Sequence, residues 1–549
     1  MATSDTRPAT IAELADWAER RYGRRPAIRY RHDGQWVEQS YAELAARVRA
    51  VAGGLVAAGV EPGDRVALLA ETRPEWTVCD LAIAAAGAVC VPVYPTNSAA
   101  ECAWVLADSG ASMVICEQAA HLDRVAEVQG ELPELATVVV IDPVAREGVR
   151  TLDDLIVAEP EVSTVDVDPA APNTIVYTSG TTGPPKGCVL SHRNWRTSLD
   201  AIEQVTSLGE GDTIYVYLPL AHLFARMVQL TAFERGATLV YFGGDIRQVV
   251  TELAEVRPTH LPSVPRLFEK AYGMVRAAGA GIDAEQAREL VRSALGGRVR
   301  EALTGAAPIA PEILEFFHGC GVPIYEAYGM TESTALISAN VPGAVRFGSV
   351  GRALPGVEIG IAEDGEVLAR GENVFTGYHH NPAATAETIV DGWLHTGDLG
   401  RLDEDGYLYL TGRKKDIIIT AGGKNLTPAN LENDLRQSRW ISQAVMLGDR
   451  RPYPVALITL DPEEAAAWAA EHGVTGAVAA HPAMRELVAG VVDAANENYA
   501  PPERIRDFTI LPGEFTVDSG ELTPTLKIRR GVVRERYADV VDALYESRQ

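Results

Sequence analysis

Lysine is scarce in this chain of 549 residues: Lys186, Lys270, Lys414, Lys415, Lys424 and Lys527 are the six lysines among 49 cationic residues. A chain that writes arginine wherever either cation would serve makes each lysine worth placing, because lysine is a compact, rotatable point charge and arginine a planar fork. All but Lys270, which lies in the helical-looking PRLFEKAYG, fall in Gly- or Thr-rich polar stretches, with chance placement as the alternative. Positive charge is short overall: 49 basic against 75 acidic residues give a net charge of −26. That excludes nucleic acid as a bulk partner, since phosphate binding needs a basic surface, so an anionic ligand must be caught by a local site. Paired cysteines are lacking too. Cys79, Cys90, Cys102, Cys116, Cys188 and Cys320 show no C-x-x-C spacing and sit mostly in apolar contexts, which points to buried reduced thiols rather than a metal site or a disulfide frame. Long apolar runs are missing as well. The stretch LAIAAAGAVCVPV (81–93) falls well short of the ~20 residues of a spanning helix, and its Gly and Pro suggest a helix running into a strand, so no transmembrane segment is expected. The N-terminal MATSDTRPATIAELADWAERRYG mixes acids with bases and has no apolar h-region; it does not read as a secretory signal, and a cytoplasmic location is expected.

What is present is a pattern of alternation. The chain is long enough for two or more domains, since single cores stop growing at roughly 250–300 residues. Short β-branched runs such as DRVALLA (64–70), AVCVPVYP (88–95), ATLVYF (237–242) and VPIYEAYG (322–329) alternate with Ala-rich helical stretches, the signature of βαβ units and parallel sheets. From about 346 the texture changes. Asp364-Gly365 and Asp405-Gly406 each stand between alternating apolar residues, a strong hairpin signal. Beyond GRKKD (412–416) comes a further segment with its own strand, VALITL (455–460), and a helix opened by Asp461-Pro462, an N-cap followed by Pro at the first helical position. The expected fold is α/β: a large N-terminal domain, 1–412, of parallel-rich βαβ subdomains plus an antiparallel β subdomain, a junction at 413–416, and a small α+β C-terminal domain, 417–549.

One loop carries unusual chemistry. YTSGTTGPPKG (177–187) hangs on the apolar run Thr174-Ile175-Val176. It is not a Walker A loop, because two prolines precede Lys186 and Gly187 follows it. Its glycines let backbone N–H groups approach an anion, the hydroxyls of Thr178, Ser179, Thr181 and Thr182 add donors, and Lys186 adds charge. That combination suits a polyphosphate; a solvated Gly/Pro connector is the plainer reading.

YTSGTTGPPKG, YGMTE (328–332), HTGDLG (395–400), GRKKD (412–416) and TPTLK (523–527), in this order and at this wide spacing, resemble the core motifs of the adenylate-forming acyl-CoA synthetase superfamily. The resemblance runs from the Ser40-Tyr41-Ala42-Glu43-Leu44 region to Lys527, and GRKKDIIITAGGKNLTPANLE (412–432) looks most like the long-chain fatty acyl-CoA ligases. It implies a two-step reaction. The carboxylate of a medium- or long-chain fatty acid attacks the α-phosphorus of ATP to give acyl-AMP and pyrophosphate, then the thiol of coenzyme A displaces AMP to give acyl-CoA. Such chemistry asks a site for charge neutralisation and in-line placement. An aryl-CoA ligase, a fatty acyl-AMP ligase loading a carrier protein, and a luciferase-like oxygenase share these motifs and remain open. A mere nucleotide sensor would lack a catalytic residue, whereas Lys186, Glu332, Asp398, Arg413 and Lys527 are all present.

By resemblance, Thr178, Ser179, Gly180, Thr181, Thr182, Gly183 and Lys186 hold the β- and γ-phosphates. Glu332 and Thr178 carry Mg²⁺, a hard ion suited to carboxylate, hydroxyl and phosphate oxygens. Tyr328 stacks on adenine, with Gly305, Gly329 and Thr331 alongside the nucleotide; Asp398 and Arg413 take the ribose; Lys527 stabilises charge on the α-phosphate. Lys415 aligns with the pivot about which the small domain swings between half-reactions, and Gly422-Gly423 give the pantetheine of coenzyme A a backbone passage. His222, in LPLAHLFAR (218–226), either shapes the acyl and thiol approach or is a satisfied core histidine. An exposed solvated lysine is the alternative for Lys415. No FDxS-like motif lies between Leu218 and Phe242, which favours an uncharged acyl tail over an amino acid. Small molecules are the expected partners. Peripheral membrane contact and a monomer or homodimer remain open.

Overall fold

The computed structural model describes residues 7–156, 165–178, 184–277, 283–523 and 527–546. The chain divides into two compact units, the first comprising 1–307, 314–360 and 368–396, the second 308–313, 361–367 and 397–549.

Two large sheets organise the first unit. One has eight strands, and its centre is parallel: Arg65–Leu69 lies between Val89–Val93 and Met113–Cys116. The Val89–Val93 and Met113–Cys116 strands are buried along their whole length, as expected of parallel strands covered on both faces by helices. The capping box of Ser98 and Glu101 fixes the start of one such helix, Ala99–Ser109. Beside Val89–Val93 runs Pro172–Thr178, which then turns back antiparallel through Lys186–Ser191 in the register Thr178↔Lys186. Thr178 and Lys186, at the two ends of the Gly/Pro-rich stretch, are thus cross-strand partners near one side of a buried sheet. A short strand, Gly377–Tyr378, adds antiparallel to its outer side and sets Tyr378 opposite Cys188.

The second sheet has nine strands. Its parallel neighbours His260–Ser263, Glu301–Thr304 and Ile324–Tyr328 run side by side, so Ser263, Thr304 and Tyr328 share the carboxyl edge, where open α/β sheets bind ligands. The helix Leu223–Arg235 is tied down by a fully buried ion pair. Arg226 gives Asp80 two bonds, Nη2–Oδ1 at 2.6 Å and Nε–Oδ2 at 3.0 Å, and a third to Thr174 Oγ1 at 2.6 Å, on the strand that ends in the loop. Removing one partner would strand a charge in the core.

The second unit contains a three-stranded sheet, Ile441–Leu447, Val455–Leu460 and Asp507–Ile510, packed with the helices Pro428–Arg436 and Pro482–Asn496 around Leu431, Leu435, Met484 and Val488. Asp461 caps its helix as the sequence suggests, accepting from the N–H groups of Glu463 and Glu464. Asp405-Gly406 forms the turn between Trp393–Leu402 and Leu408–Arg413, with Gly406 at φ +80°. By compactness, residues from 397 onward group with 361–367. Buried Glu366 joins these stretches, accepting from Gly397 N at 2.8 Å and from Lys414 Nζ at 3.1 Å.

Candidate active site

In the first unit the hairpin Pro172–Thr178/Lys186–Ser191 brings the two ends of the loop together. Thr178 Oγ1 lies 3.5 Å from Lys186 O and 3.8 Å from Cys188 Sγ. A side chain at Gly187 would meet Ile175 Cγ2 at 2.8 Å and would have to push it aside. From the Ala99–Ser109 helix, Trp104 Nε1 donates to Pro185 O at 2.9 Å, a brace one residue before Lys186. Ser179, Gly180, Thr181, Thr182 and Gly183 lie outside the described residues.

Glu332 sits in the single turn Thr331–Ser333, just past the carboxyl end of the Ile324–Tyr328 strand, and is buried. Its Oε1 accepts from Tyr378 OH at 2.8 Å. Burial, then the Glu332 charge, pushes the Tyr378 phenol well up, so it stays a donor. The same two causes keep the neighbouring Cys188 a thiol. Lys186 Nζ lies 5.0 Å from the Tyr378 ring centre, over its face, within cation–π range. Thr178, Lys186 and Glu332, chosen from motifs about 150 residues apart, therefore share one neighbourhood, and Tyr378 and Cys188 join them.

The turn that presents Glu332 is held hard. Asn373 Nδ2 donates to Ser333 O at 3.1 Å and Leu336 O at 2.8 Å, and Thr334 Oγ1 to Asn373 O at 2.6 Å. Thr334 and Ala335 have φ of 50° and 76°, a left-handed backbone that non-glycine residues hold only where the surroundings enforce it. Gly329 is required by the same turn, since a Cβ there would stand 2.1 Å from Ala335 O. Tyr328 ends its strand buried, and Gly305 follows Thr304 on the neighbouring strand, its missing Cβ 3.0 Å from Ala327 O. His222 is neither buried nor part of the core: it caps the Leu223–Arg235 helix, its Nδ1 accepting from Phe224 N at 3.2 Å.

Below the carboxyl edge lies a largely apolar cavity of about 100 Å³, lined among others by Ile214, Leu261, Leu303, Ala327 and Leu336, with Thr206, Thr231, His260, Glu301, Tyr325 and Asn340 as polar members.

In the second unit the two ribose candidates are cross-strand partners. Asp398 and Arg413 face each other in register, with Arg413 Nε 3.1 Å from Asp398 Oδ1. The aspartate side chain is 12% exposed and the arginine 45%, so the acceptor is set in the protein and the cation at its surface. Lys415 occupies the turn Lys414–Asp416 and is exposed; its neighbour Lys414 is engaged by Asp364 and Glu366. Gly422 and Gly423 form an exposed turn between Ile418–Ile419 and Asn425–Leu426, Gly423 at φ +76°. Lys527 and Thr523 bond each other: the N–H of Lys527 donates to Thr523 Oγ1 at 3.0 Å, and Thr523 N donates back to Lys527 O at 2.8 Å. Just beyond it, Arg530 grips Glu432 at 2.6 and 2.8 Å, tying the Arg530–Arg536 helix to the Pro428–Arg436 helix.

All six cysteines are unpaired and buried. Among the described residues no cluster of three or more His, Cys, Asp or Glu side chains could hold a metal, and no helix is long and apolar enough to cross a membrane.

The motifs that resemble those of adenylate-forming enzymes fall in both units, Thr178, Lys186 and Glu332 in the first and Asp398, Arg413 and Lys527 in the second. The sequence profile of the AMP-binding enzyme family matches residues 14–379, and that of the AMP-binding enzyme C-terminal domain matches 415–549; the chain belongs to this family. Within it, the chain is 40% identical to the long-chain-fatty-acid–CoA ligase FadD15 of Mycobacterium tuberculosis, over 93% of each chain. It is 31% identical to the long-chain-fatty-acid–CoA ligase ACSBG2 of Xenopus laevis, over 98% of this chain and 84% of that one. Among solved structures it matches the adenylation domain of a carboxylate reductase from Mycobacterium chelonae with a TM-score of 0.86 at 25% identity, covering 99% of this chain and 92% of that one. A TM-score of 0.81 at 23% identity relates its fold to the anthranilate CoA ligase AuaEII in complex with anthranoyl-AMP, over 99% and 100% of the two chains. The superfamily resemblance and the α/β fold class expected from the sequence are both found.

Proposed function

We propose that this protein is an AMP-forming long-chain-fatty-acid–CoA ligase. It couples a fatty acid to ATP, giving acyl-AMP and pyrophosphate, and then passes the acyl group to the thiol of coenzyme A with release of AMP. The observation that carries the reading is Glu332, buried and held by Tyr378 beside the Thr178–Lys186 hairpin.

A carboxylate attacking a polyanion needs its charges offset and its partners placed, and a site of fixed cations and donors does this without covalent help. Lys186 sits at the root of the phosphate loop to hold ATP and the departing pyrophosphate. Glu332 and the Thr178 hydroxyl would hold Mg²⁺, which commonly takes one or two carboxylates and completes its shell with phosphates and water. A lone buried carboxylate near a hydroxyl fits that habit, and the ion would supply neutralising charge on the phosphates. Tyr328 offers a ring to adenine at the strand end, with Gly305, Gly329 and Thr331 close to the nucleotide. Asp398 offers two acceptor oxygens to the ribose hydroxyls, with Arg413 at its side. Lys527 meets the α-phosphate during adenylation, Lys415 within 413–416 serves as the hinge, and Gly422-Gly423 let pantetheine pass after the swing. His222, capping its helix, borders the acyl approach, and the apolar cavity beneath the strand ends takes the hydrocarbon chain. Six unpaired buried thiols support a reducing compartment.

The test is release of pyrophosphate and AMP over C2 to C18 and aromatic acids, with and without coenzyme A. Pyrophosphate should appear with ATP, Mg²⁺ and medium to long fatty acids, each buried CH₂ adding about 0.8 kcal/mol where the cavity accepts it. Equal or better turnover of acetate, benzoate or an amino acid would overturn the fatty-acid assignment.

A further inference from the structure

The cavity assigned to the acyl chain runs along its strands from their carboxyl ends to their beginnings, and the two ends differ in kind. Ala327 and Leu336 line it near Tyr328, Leu261 and Leu303 line its middle, and the first residues of two strands, His260 and Glu301, lie at the far end with Thr206. A strand of this length spans about 10 Å at roughly 3.3 Å per residue.

That far end is a hydrogen-bonded cluster. Glu301 accepts from Thr206 Oγ1 at 3.2 Å, from Ser207 N at 3.2 Å and from Ser207 Oγ. His260 stands between carboxylates, 3.8 Å from Asp212 and 3.7 Å from Glu301, with Thr259 Oγ1 at its Nδ1 and Ser207 Oγ at its Nε2. Arg300 takes up Asp212 through two contacts of 2.6 and 2.7 Å. Glu301 is left as the carboxylate bordering the cavity. An ionised carboxylate offers about four acceptor positions, and Thr206 and Ser207 occupy three. A methyl group pressed against it would displace water and return no hydrogen bond. A hydroxyl would fill the remaining position.

We propose that Glu301, oriented by Ser207 and flanked by His260, forms a hydrogen-bonding floor to the acyl cavity, and that the preferred substrates are fatty acids bearing a hydroxyl at or near the end remote from the carboxylate. The inference rests on the fatty-acid reading above. Sites built to bond a substrate hydroxyl reject the analogue lacking it, because their own polar groups are left unpaired.

The experiment compares kcat/KM for pyrophosphate release with plain C8 to C18 acids and their ω-hydroxy counterparts, using the full chain and its Glu301→Leu variant. At the chain length that reaches the floor, the hydroxy acid should lead by about tenfold or more. In Glu301→Leu the ratio should fall to about one or below, while acids too short to reach the floor keep their parent rates. Should Glu301→Leu fail to fold, Ser207→Ala, an exposed position, removes one of the donors to Glu301 and should shift the ratio several-fold. A ratio near one in the parent, or a ratio unmoved by the substitution that folds, would overturn the floor while leaving fatty-acid activation standing. No pyrophosphate with any fatty acid would remove the reading beneath it and the floor together.

Discussion

Replacing Tyr378 with phenylalanine removes one oxygen atom and little else. The ring stays, so the face beneath Lys186 Nζ is kept at its 5.0 Å separation, and Glu332, 7% exposed, loses the donor that stood 2.8 Å from its Oε1. A hydrogen bond to a charged group contributes about 1.5–3 kcal/mol, and each 1.4 kcal/mol is a factor of ten. If the bond's role is to aim Glu332 at the metal-bound polyphosphate, Tyr378→Phe should weaken binding of Mg-ATP by roughly 10- to 150-fold. The assay is pyrophosphate release against ATP at fixed fatty acid, repeated over a range of Mg²⁺, with thioester formation from supplied acyl-AMP and coenzyme A as the internal control. KM for ATP and the Mg²⁺ requirement should rise while the second half-reaction holds. Tyr378→Leu, which also removes the ring, should add a loss of about 0.5–1 kcal/mol for the cation–π contact. An unchanged KM for ATP in Tyr378→Phe, or an equal loss in both half-reactions, would refute the argument that Tyr378 acts through Glu332.

Trp104→Phe keeps the ring and deletes the N–H that braces Pro185; KM for ATP should rise about 2- to 10-fold, the usual range for one neutral hydrogen bond, with the thioester step unaffected. Lys527→Ala should slow single-turnover adenylation by about 10²–10³-fold and leave acyl-AMP plus coenzyme A near normal; comparable losses in both would make Lys527 structural. Burial, followed by Arg226, pushes His192 from 6.5 down to about 4. Because the folded value is the depressed one, the folded state holds the neutral ring and the unfolded state takes up the proton first. The stabilisation is complete above pH 6.5 and is lost as pH falls towards 4, to the extent of roughly 3 kcal/mol. Denaturant titrations at pH 7.5 and 4.5 should show that loss, and His192→Asn should flatten it.

The site was legible where chemistry is written consecutively. The loop at 177–187 declares itself through its glycines and hydroxyls, the Asp405-Gly406 turn and the Asp461-Pro462 helix start obey local rules, and Lys186 and Lys527 stand out against an arginine background. What stayed hidden depends on register. Tyr378 reaches Glu332 only because a two-residue strand pairs it with Cys188, 190 positions earlier, and nothing in Gly377-Tyr378 alone announces that pairing. Asn373, which pins the turn carrying Glu332, reads in sequence as an ordinary loop residue, and Trp104 as an ordinary helix residue. His222 allowed two readings, and its role as the cap of the Leu223–Arg235 helix was not visible beside them. Glu366 is silent in sequence as well, because its bonds to Gly397 and Lys414 join stretches 31 and 48 residues away.

The burial of all six thiols has a practical side. Burial drives Cys79 and Cys116 up to about 12 and Cys102 to about 11, and raises Cys90, Cys188 and Cys320 as well. Since the thiolate is the reactive form, the native chain presents a blank background to maleimide dyes. One cysteine introduced at a solvent-facing position in each unit, Ile246→Cys, at a residue that is 62% exposed, and Glu535→Cys, would carry the entire label. A donor–acceptor dye pair at those two positions would turn the proposed swing about Lys415 into a fluorescence signal that can be followed turnover by turnover, without first deleting a single native cysteine.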